Sequence, residues 1–280
     1  MSSMNVSPSQ NADTVVASES KKIPLGFVVT GIILAVVLTE FVLSPLLQQR
    51  AQRQLFNQFK VTTDLAASAF GQAGISPLPD TAPAYGSAVA LLQIPKLGIN
   101  QIVVEGTSSS YTQAGPGHVP GTVLPGQAGE SDIIGRRTTF GAPFYHLGSL
   151  RVGDIVNVTT VEGPAVYKVI PAKLAQSSSN ILKLITSSPP ILATGSTSIY
   201  AALTKNPYPL TPKNARTTPA SNQFALLVLL LEVLLVVLYV TRGIYRRFGT
   251  LVGWLILTPL VIGSVLALTL ALDTLLPSTL

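Results

Sequence analysis

Residues 133–144 of this chain are IIGRRTTFGAPF, and this run decides the fold together with GPGH at 115–118 and LPGQ at 124–127. Glycine and proline separate short apolar runs here, as they do where tight turns join strands. Short β-type runs flank the stretch on both sides: LLQIP at 91–95, IVVE at 102–105, IVNVTT at 155–160 and AVYKVI at 165–170. No long helical pattern lies between them, so residues 91–204 predict an all-β sandwich or barrel.

The composition points to a membrane protein. Of the 280 residues, 47% are hydrophobic and only 11% are charged, whereas soluble domains carry about 25% charged residues. Three apolar runs account for the excess, at residues 23–47, 224–240 and 251–272. A spanning helix needs about 20 apolar residues, so each run predicts a transmembrane α-helix.

The segments between these units are polar. Residues 1–22 predict a disordered cytoplasmic tail, and residues 205–223 predict an extended linker rich in proline, threonine and asparagine. Residues 48–90 predict a juxtamembrane helix that has Leu55, Phe56 and Phe59 near one face, followed by a linker from Val61 onward. We expect that helix to lie on membrane lipid or to lift the domain away from it.

The distribution of arginine predicts the topology. The loop at 241–250 carries Arg242, Arg246 and Arg247, whereas the tail at 273–280 carries only Asp273. Basic loops stay in the cytoplasm. The barrel is therefore expected outside the cytoplasmic membrane of a multi-pass protein.

Glu232 lies in the middle of the second apolar run. A carboxylate in such a position costs about 2.5 kcal/mol or more on insertion scales, and it usually has a partner. Two interpretations stay open: a protonated Glu232 bonded to threonine or tyrosine neighbours, or a contact with a basic residue of a partner membrane protein.

Several chemistries are excluded or disfavoured. The chain has no cysteine, which excludes disulfides and thiol catalysis. The net charge of +6 forms no basic stripe with interleaved aromatics, so nucleic acid is not expected. The two histidines, His118 and His146, have no carboxylates at ligand spacing, so we expect neither a metal nor another cofactor.

The order of the motifs is specific. IPKLGI, VVEG, GPGH, LPGQ, IIGRRTTFGAPF and a T-x-x-P element follow one another over about 115 residues; a chain of motifs in this order resembles the sortases. In particular, it resembles the membrane-anchored sortases of Gram-positive actinobacteria, and the two predicted C-terminal spans also look like those of these relatives. The resemblance implies a closed barrel of about eight strands that cleaves an LPxTG-type sorting signal through a cysteine thioester, which an amine then resolves.

The residues that would carry that chemistry are replaced. Where the family has histidine in a G-H-R triplet, this chain has Arg136 between Gly135 and Arg137. Where the family has cysteine in T-C-x-P, this chain has Ser187 after Thr186. The position of the family's arginine falls in a segment that contains none: Ser196, Thr197 and Ser198.

These replacements remove the means of acyl transfer. A serine needs an adjacent base to become nucleophilic, and a guanidinium stays protonated at physiological pH. Loss of the cation that stabilises the oxyanion raises the barrier by about 3 kcal/mol. Lys183 precedes Ser187 by four strand residues, about 13 Å, too far for a Ser–Lys dyad.

We therefore expect a catalytically inactive sortase-like protein that binds a peptide or scaffolds surface-protein or pilus assembly. Its groove would be lined by Arg136, Arg137, Thr138, Thr186 and Ser187 and would suit an acidic or sorting-signal-like peptide, while His118 and Gly135 would be structural. Two alternatives stay open: an active transpeptidase that uses Ser187, and a structural membrane subunit without a ligand.

Overall fold

The computed structural model describes residues 42–73, 81–189 and 194–213, together with 230, 231, 234, 262–269 and 271. Three helices lie in the main ranges: α1 (Ser44–Ala73), α2 (Ser109–Thr112) and α3 (Ala172–Ala175). The strands are β1 (Ala88–Ile94), β2 (Ile99–Glu105), β3 (Gly117–His118), β4 (Glu130–Ile134), β5 (Ile155–Thr160), β6 (Gly163–Ile170), β7 (Ile181–Ser188) and β8 (Gly195–Leu203).

The eight strands form a closed barrel in the order β1-β2-β3-β4-β7-β8-β6-β5. Neighbours are antiparallel except β2 with β3 and β4 with β7, which are parallel. The predicted all-β barrel of about eight strands is confirmed. The sequence pattern missed β3, because two residues are too few to show an alternation of apolar and polar side chains.

The period of the strands explains which side chains fill the barrel. Successive side chains of a strand point to opposite faces, and in β5 the buried positions are Val156, Val158 and Thr160. Each large aliphatic side chain that leaves water stabilises the fold by roughly 1.5–3 kcal/mol. The barrel core includes Leu92, Ile94, Val103, Ile133, Phe144, Leu147, Val156, Val158, Tyr167, Leu182, Leu184 and Ala201.

Gln52, a side chain of helix α1, bonds to the part of the barrel wall where β2 has little strand pairing. Because β3 contains only Gly117–His118, most of the edge of β2 has no strand beside it. The side-chain amide of Gln52 takes the place of a strand: its Nε2 donates to the carbonyls of Ile102 (3.0 Å) and Ala114 (2.7 Å). Its Oε1 accepts from the backbone N–H of Ile102 at 2.7 Å. The backbone N–H and carbonyl of Ile102 on this edge thus have partners without another strand.

Helix α1 packs on the barrel through this edge. Leu55 and Phe59 are buried against Ile102 and Val104, and Phe56 on the neighbouring face stays exposed. The helix has 30 residues and runs on to Ala73. The expectation of a linker from Val61 onward is therefore wrong for residues 61–73, which continue the helix.

The chain after β8 also contacts the barrel. The backbone N–H of Tyr208 donates to the carbonyl of Gly126 at 2.8 Å, and its hydroxyl donates to the carbonyl of Pro164 at 3.1 Å. The Nε2 of Gln127 donates to the hydroxyl of Thr211 at 2.8 Å. Residues 205–213, which belong to the predicted extended linker, therefore dock on the barrel.

The predicted transmembrane helices lie mostly outside the described residues. Within the described ranges, no helix combines the length and the apolar character that crossing a membrane requires. The three spans stay predictions, and Glu232 lies outside the described residues.

The hydrogen bonds between Gln52 and Ile102 predict how much this side chain contributes to the stability of the fold. Replacing Gln52 with alanine leaves the N–H and carbonyl of Ile102 without their partner, so we expect the variant to lose about 1–3 kcal/mol of unfolding free energy. Thermal and denaturant unfolding of the full chain in detergent measures the change. Gln54→Ala, on the exposed side of the same helix, is the matched control and should change stability by less than about 0.5 kcal/mol. Equal stability of the two variants would contradict the role of Gln52.

Candidate functional site

The parallel pairing of β4 with β7 builds the site. Beyond the last ladder pair, the backbone N–H of Gly135 donates to the carbonyl of Ile185 at 2.9 Å. The hydroxyl of Thr186 donates to the carbonyl of Gly135, also at 2.9 Å. These bonds place Arg136 next to the end of β7, where Ser187 lies.

The segment that corresponds to the family's arginine lies on β8, which pairs with β7 on the side away from β4. In the antiparallel pairing of β7 with β8, Ser187 is opposite Ser196 and Thr186 is opposite Thr197. The segment where the family carries arginine therefore reaches the site, but it brings hydroxyl groups and no cation.

Gly135 has a steric reason to be glycine. A Cβ at this position would overlap the ring of Phe144, whose side chain is fully buried in the barrel core. The backbone N–H of Phe144 donates to the carbonyl of Arg136 at 3.0 Å. Close packing of the ring against the backbone thus sets the path of the chain into the site. The expected structural role of Gly135 agrees with this contact.

Arg136 is fully buried, with 0% of its surface exposed. Its guanidinium donates to the hydroxyl of Thr139 at 2.7 Å, to the hydroxyl of Thr112 at 3.3 Å and to the carbonyl of Ser109 at 3.2 Å. The guanidinium carbon also lies 4.9 Å from the centre of the Phe140 ring, within the range of a cation–π contact. The arginine thus points into the protein and connects helix α2 to the loop after β4.

The loop after β4 is held in an unusual conformation. Phe140 has φ +47° and Ala142 has φ +45°. Non-glycine residues seldom adopt this left-handed region, and each instance costs of order 1–3 kcal/mol. The contacts around the loop therefore hold it against its own backbone preference.

Ser187 is also fully buried. In the described part of the chain, no group forms a hydrogen bond with its Oγ. Its carbonyl accepts from the guanidinium of Arg137 at 2.6 Å. Since none of the described residues bonds to this hydroxyl, none of them is placed to take its proton, and the serine is not activated as a nucleophile.

The predicted groove is closed in this structure. Of its five predicted lining residues, Arg136, Thr186 and Ser187 have no exposed surface, while Arg137 and Thr138 are half-buried. A buried guanidinium cannot form the positive floor of an open groove, because a ligand does not reach it in this conformation. Its role in binding stays a prediction, and Arg137 is the cation nearer the surface.

His118 belongs to a separate buried network that explains its expected structural role. Its Nδ1 lies 2.6 Å from Oε2 of Glu105, and its Nε2 lies 2.9 Å from the carbonyl of Val123. A carbonyl only accepts, so a hydrogen bond between Nε2 and Val123 places a hydrogen on Nε2. The sequence analysis did not identify Glu105 as part of this network. Its only indication there is that a carboxylate ends an apolar strand.

Lys183, considered above as a possible base for Ser187, forms ion pairs with other residues. Nζ of Lys183 lies 3.7 Å from a carboxylate oxygen of Glu130 and 3.9 Å from one of Asp132. Burial raises the pKa of Asp132 to about 6, an effect that nearby Lys183 opposes and Glu130 reinforces. Within the described ranges, no three histidine, aspartate or glutamate side chains come together as metal ligands.

Comparison with known proteins identifies the barrel. Residues 92–195 match a family model described as the Sortase domain. Sortase D of Bacillus subtilis strain 168 is 29% identical over 92 residues, which are 33% of this chain and 45% of that protein. Sortase SrtE1 of Streptomyces coelicolor is 34% identical over 103 residues, which are 34% of this chain and 29% of that protein. The matched region thus spans less than half the length of these curated relatives.

Among the solved structures to which this chain is similar is a sortase E1 from Streptomyces coelicolor with a tripeptide in its active site. It is 28% identical, covers 45% of this chain and 94% of its own, and has a TM-score of 0.39. A sortase D5 transpeptidase from Clostridium perfringens is 19% identical, covers 56% of this chain and 99% of its own, and has a TM-score of 0.43. The family match and the curated relatives show that the barrel is a sortase domain.

The environment of Asp132 predicts how stability depends on pH. Its folded pKa of about 6 exceeds the ordinary value of 3.8, so the native state keeps a proton that the unfolded chain has released between these values. The folded state therefore loses stability as the pH rises across that interval. In Asp132→Asn we expect the unfolding free energy to fall less steeply over the same interval, measured by denaturant unfolding at a series of pH values.

The matched control is Asp154→Asn. The pKa of Asp154 is lowered, chiefly by the hydrogen bond from the backbone N–H of Arg151 and also by one from Lys96. Its contribution is present above the ordinary pKa and is lost as the pH falls, so the control should change the profile in the opposite sense. The same change of slope in both variants would contradict the assignment to Asp132.

Proposed function

We propose that this sortase domain binds an extended peptide and does not cleave it. The proposal is carried by one observation. Arg136 stands at the position of the family's histidine, is fully buried, and donates hydrogen bonds to Thr139, Thr112 and Ser109. A side chain that only donates cannot serve as a general base.

The missing groups together account for a large loss of rate. A positioned general base contributes typically about 10²–10⁴-fold to proton transfer, and removal of one oxyanion stabiliser costs about 10²–10³-fold in kcat. Ser187 has neither a hydrogen-bonded base nor a cation from β8. Both steps of a transpeptidation, acylation and attack by the amine, need proton transfer at this position. Binding needs neither step.

Arg137 is the residue that we assign to ligand recognition. It is half-buried beside Ser187, to whose carbonyl it donates at 2.6 Å. Its Nε is buried and forms no hydrogen bond to any residue that the structure describes. A guanidinium that has a spare donor at the edge of the site suits the carboxylate of an acidic peptide or a sorting-signal-like segment.

The setting of this activity follows from the sequence. The arginine-rich loop at 241–250 supports a multi-pass protein in the cytoplasmic membrane, with the sortase domain on the outer side. There the domain would bind or scaffold proteins during surface-protein or pilus assembly. In the second predicted span, Glu232 is either protonated and bonded to neighbouring hydroxyl groups or paired with a basic residue of a partner membrane protein.

One observation favours a second function. The hydroxyl of Ser187 is not engaged by any described residue, so it could act as a nucleophile if a ligand or partner supplied the base. The domain would then be an active transpeptidase or hydrolase. A structural membrane subunit without a ligand is the remaining alternative, and the experiments below separate all three.

The activity test uses the full chain in detergent with a fluorescent LPxTG-type peptide and an amine acceptor. We expect saturable binding without a cleaved or transferred product, because no described residue is hydrogen-bonded to the Ser187 hydroxyl as a proton acceptor. Mass spectrometry detects product and any acyl adduct on Ser187. Turnover that disappears in Ser187→Ala would show that the domain is an active transpeptidase. Absence of both binding and turnover would favour a structural membrane subunit without a ligand.

The binding test concerns Arg137. In Arg137→Gln we expect affinity for an acidic peptide to fall by about tenfold or more, because a charge-assisted hydrogen bond contributes roughly 1.5–3 kcal/mol. Fluorescence anisotropy measures the Kd. The matched control is Arg151→Gln, an exposed arginine in the loop before β5, whose loss should leave the Kd nearly unchanged. If both variants bound the peptide equally weakly, the effect would come from the net charge of the domain and not from Arg137 itself.

A further inference from the structure

Two segments meet at the buried guanidinium of Arg136. On one side is helix α2 (Ser109–Thr112), which presents a hydroxyl and a carbonyl at 3.3 and 3.2 Å. On the other side is the loop from Thr138 to Ala142, whose Thr139 hydroxyl accepts at 2.7 Å. One side chain thus connects two parts of the chain that share no strand pairing.

The loop is supported from its outer side by helix α1. Gly141 has φ +69°, and a Cβ there would overlap Oε1 of Gln48, a side chain that is only 3% exposed. The loop is therefore enclosed between α1 and the guanidinium. Its unusual backbone at Phe140 and Ala142 is maintained by these contacts.

The hydroxyl of Ser187 lies near this arrangement, because the bonds of Gly135 place Arg136 next to the end of β7. It is fully buried, forms no hydrogen bond with a described group, and belongs to the site that Arg137 borders. A buried polar group without a hydrogen-bond partner costs free energy. Contact with a ligand would supply the missing hydrogen bond, provided that position 187 becomes accessible.

We propose that Arg136 holds the site closed by joining helix α2 to the loop at 138–142, and that the peptide groove opens when these hydrogen bonds are released. The replacement of the family's histidine thus adds a closing contact as well as removing a base. The inference rests on the proposed function only in naming a peptide as the occupant. Closure itself can be measured without any peptide.

The absence of cysteine makes the test direct. Ser187→Cys introduces the only thiol of the full chain, and its reaction with a maleimide reports how often position 187 becomes accessible. We expect slow labelling in Ser187→Cys. We expect labelling at least about tenfold faster when Arg136→Ala is added, since tenfold corresponds to the net loss of about one hydrogen bond. Labelling is followed by mass spectrometry on the chain in detergent.

Two control cysteines separate local opening from unfolding. Ser131→Cys in β4 is 1% exposed and reports opening of the barrel as a whole, whereas Ser179→Cys is exposed and reports the reagent's intrinsic rate. The closing role requires Arg136→Ala to accelerate labelling at position 187 while position 131 stays slow. Equal acceleration at 187 and 131 would overturn the proposal, because Arg136 would then stabilise the whole barrel.

A second variant keeps the arginine and removes one acceptor. Thr139→Val preserves the shape of the side chain but loses the 2.7 Å hydrogen bond, so it should also accelerate labelling of Ser187→Cys, by a smaller factor than Arg136→Ala. Labelling of Ser187→Cys at the rate of Ser179→Cys would show that the site is already open. That result, or an unchanged rate in both variants, would overturn the proposal.

Discussion

The hydrogen bonds between Gly135 and the end of β7 are the constraint on which the site depends. Through them, the parallel pairing of β4 with β7 continues past the strand, with the N–H of Gly135 bonded to Ile185 and its carbonyl to Thr186. Parallel strands have no turn to set their register, so pairing alone determines which residues meet. Packing of Phe144 against Gly135 excludes any side chain there. Whatever residue follows Gly135 must therefore lie beside Ser187.

The consequences of placing arginine at that position go beyond lost proton transfer. A buried guanidinium needs hydrogen-bond acceptors, since an unpaired buried charge is very costly. Thr139, Thr112 and Ser109 supply acceptors from two separate segments. The same side chain is thus unable to accept a proton and joins those two segments to each other. The two properties are separable, because the first belongs to the guanidinium group itself and the second depends on its acceptors.

The barrel itself depends on segments outside it. The short β3 leaves an edge that Gln52 of helix α1 satisfies with three hydrogen bonds, and residues 205–213 dock on the loop around Gln127 through Tyr208 and Thr211. Both segments lead toward predicted membrane spans. The domain is thereby tied to its flanking segments by specific contacts rather than by flexible connections.

The short strands and turns could be read from the amino-acid sequence, because they follow from apolar alternation and from glycine and proline. These local patterns favour a sandwich or a barrel. The choice of a closed barrel, and the place at which a base is missing, came from the resemblance to the sortases. The inward direction of Arg136, the burial of Ser187 and the bonds of Gln52 to Ile102 on β2 became known from the three-dimensional structure. The acceptors of Arg136 on helix α2 lie 24 and 27 residues away along the chain. No local pattern records which way a long side chain turns when its partners come from a distant segment, because packing alone makes that choice.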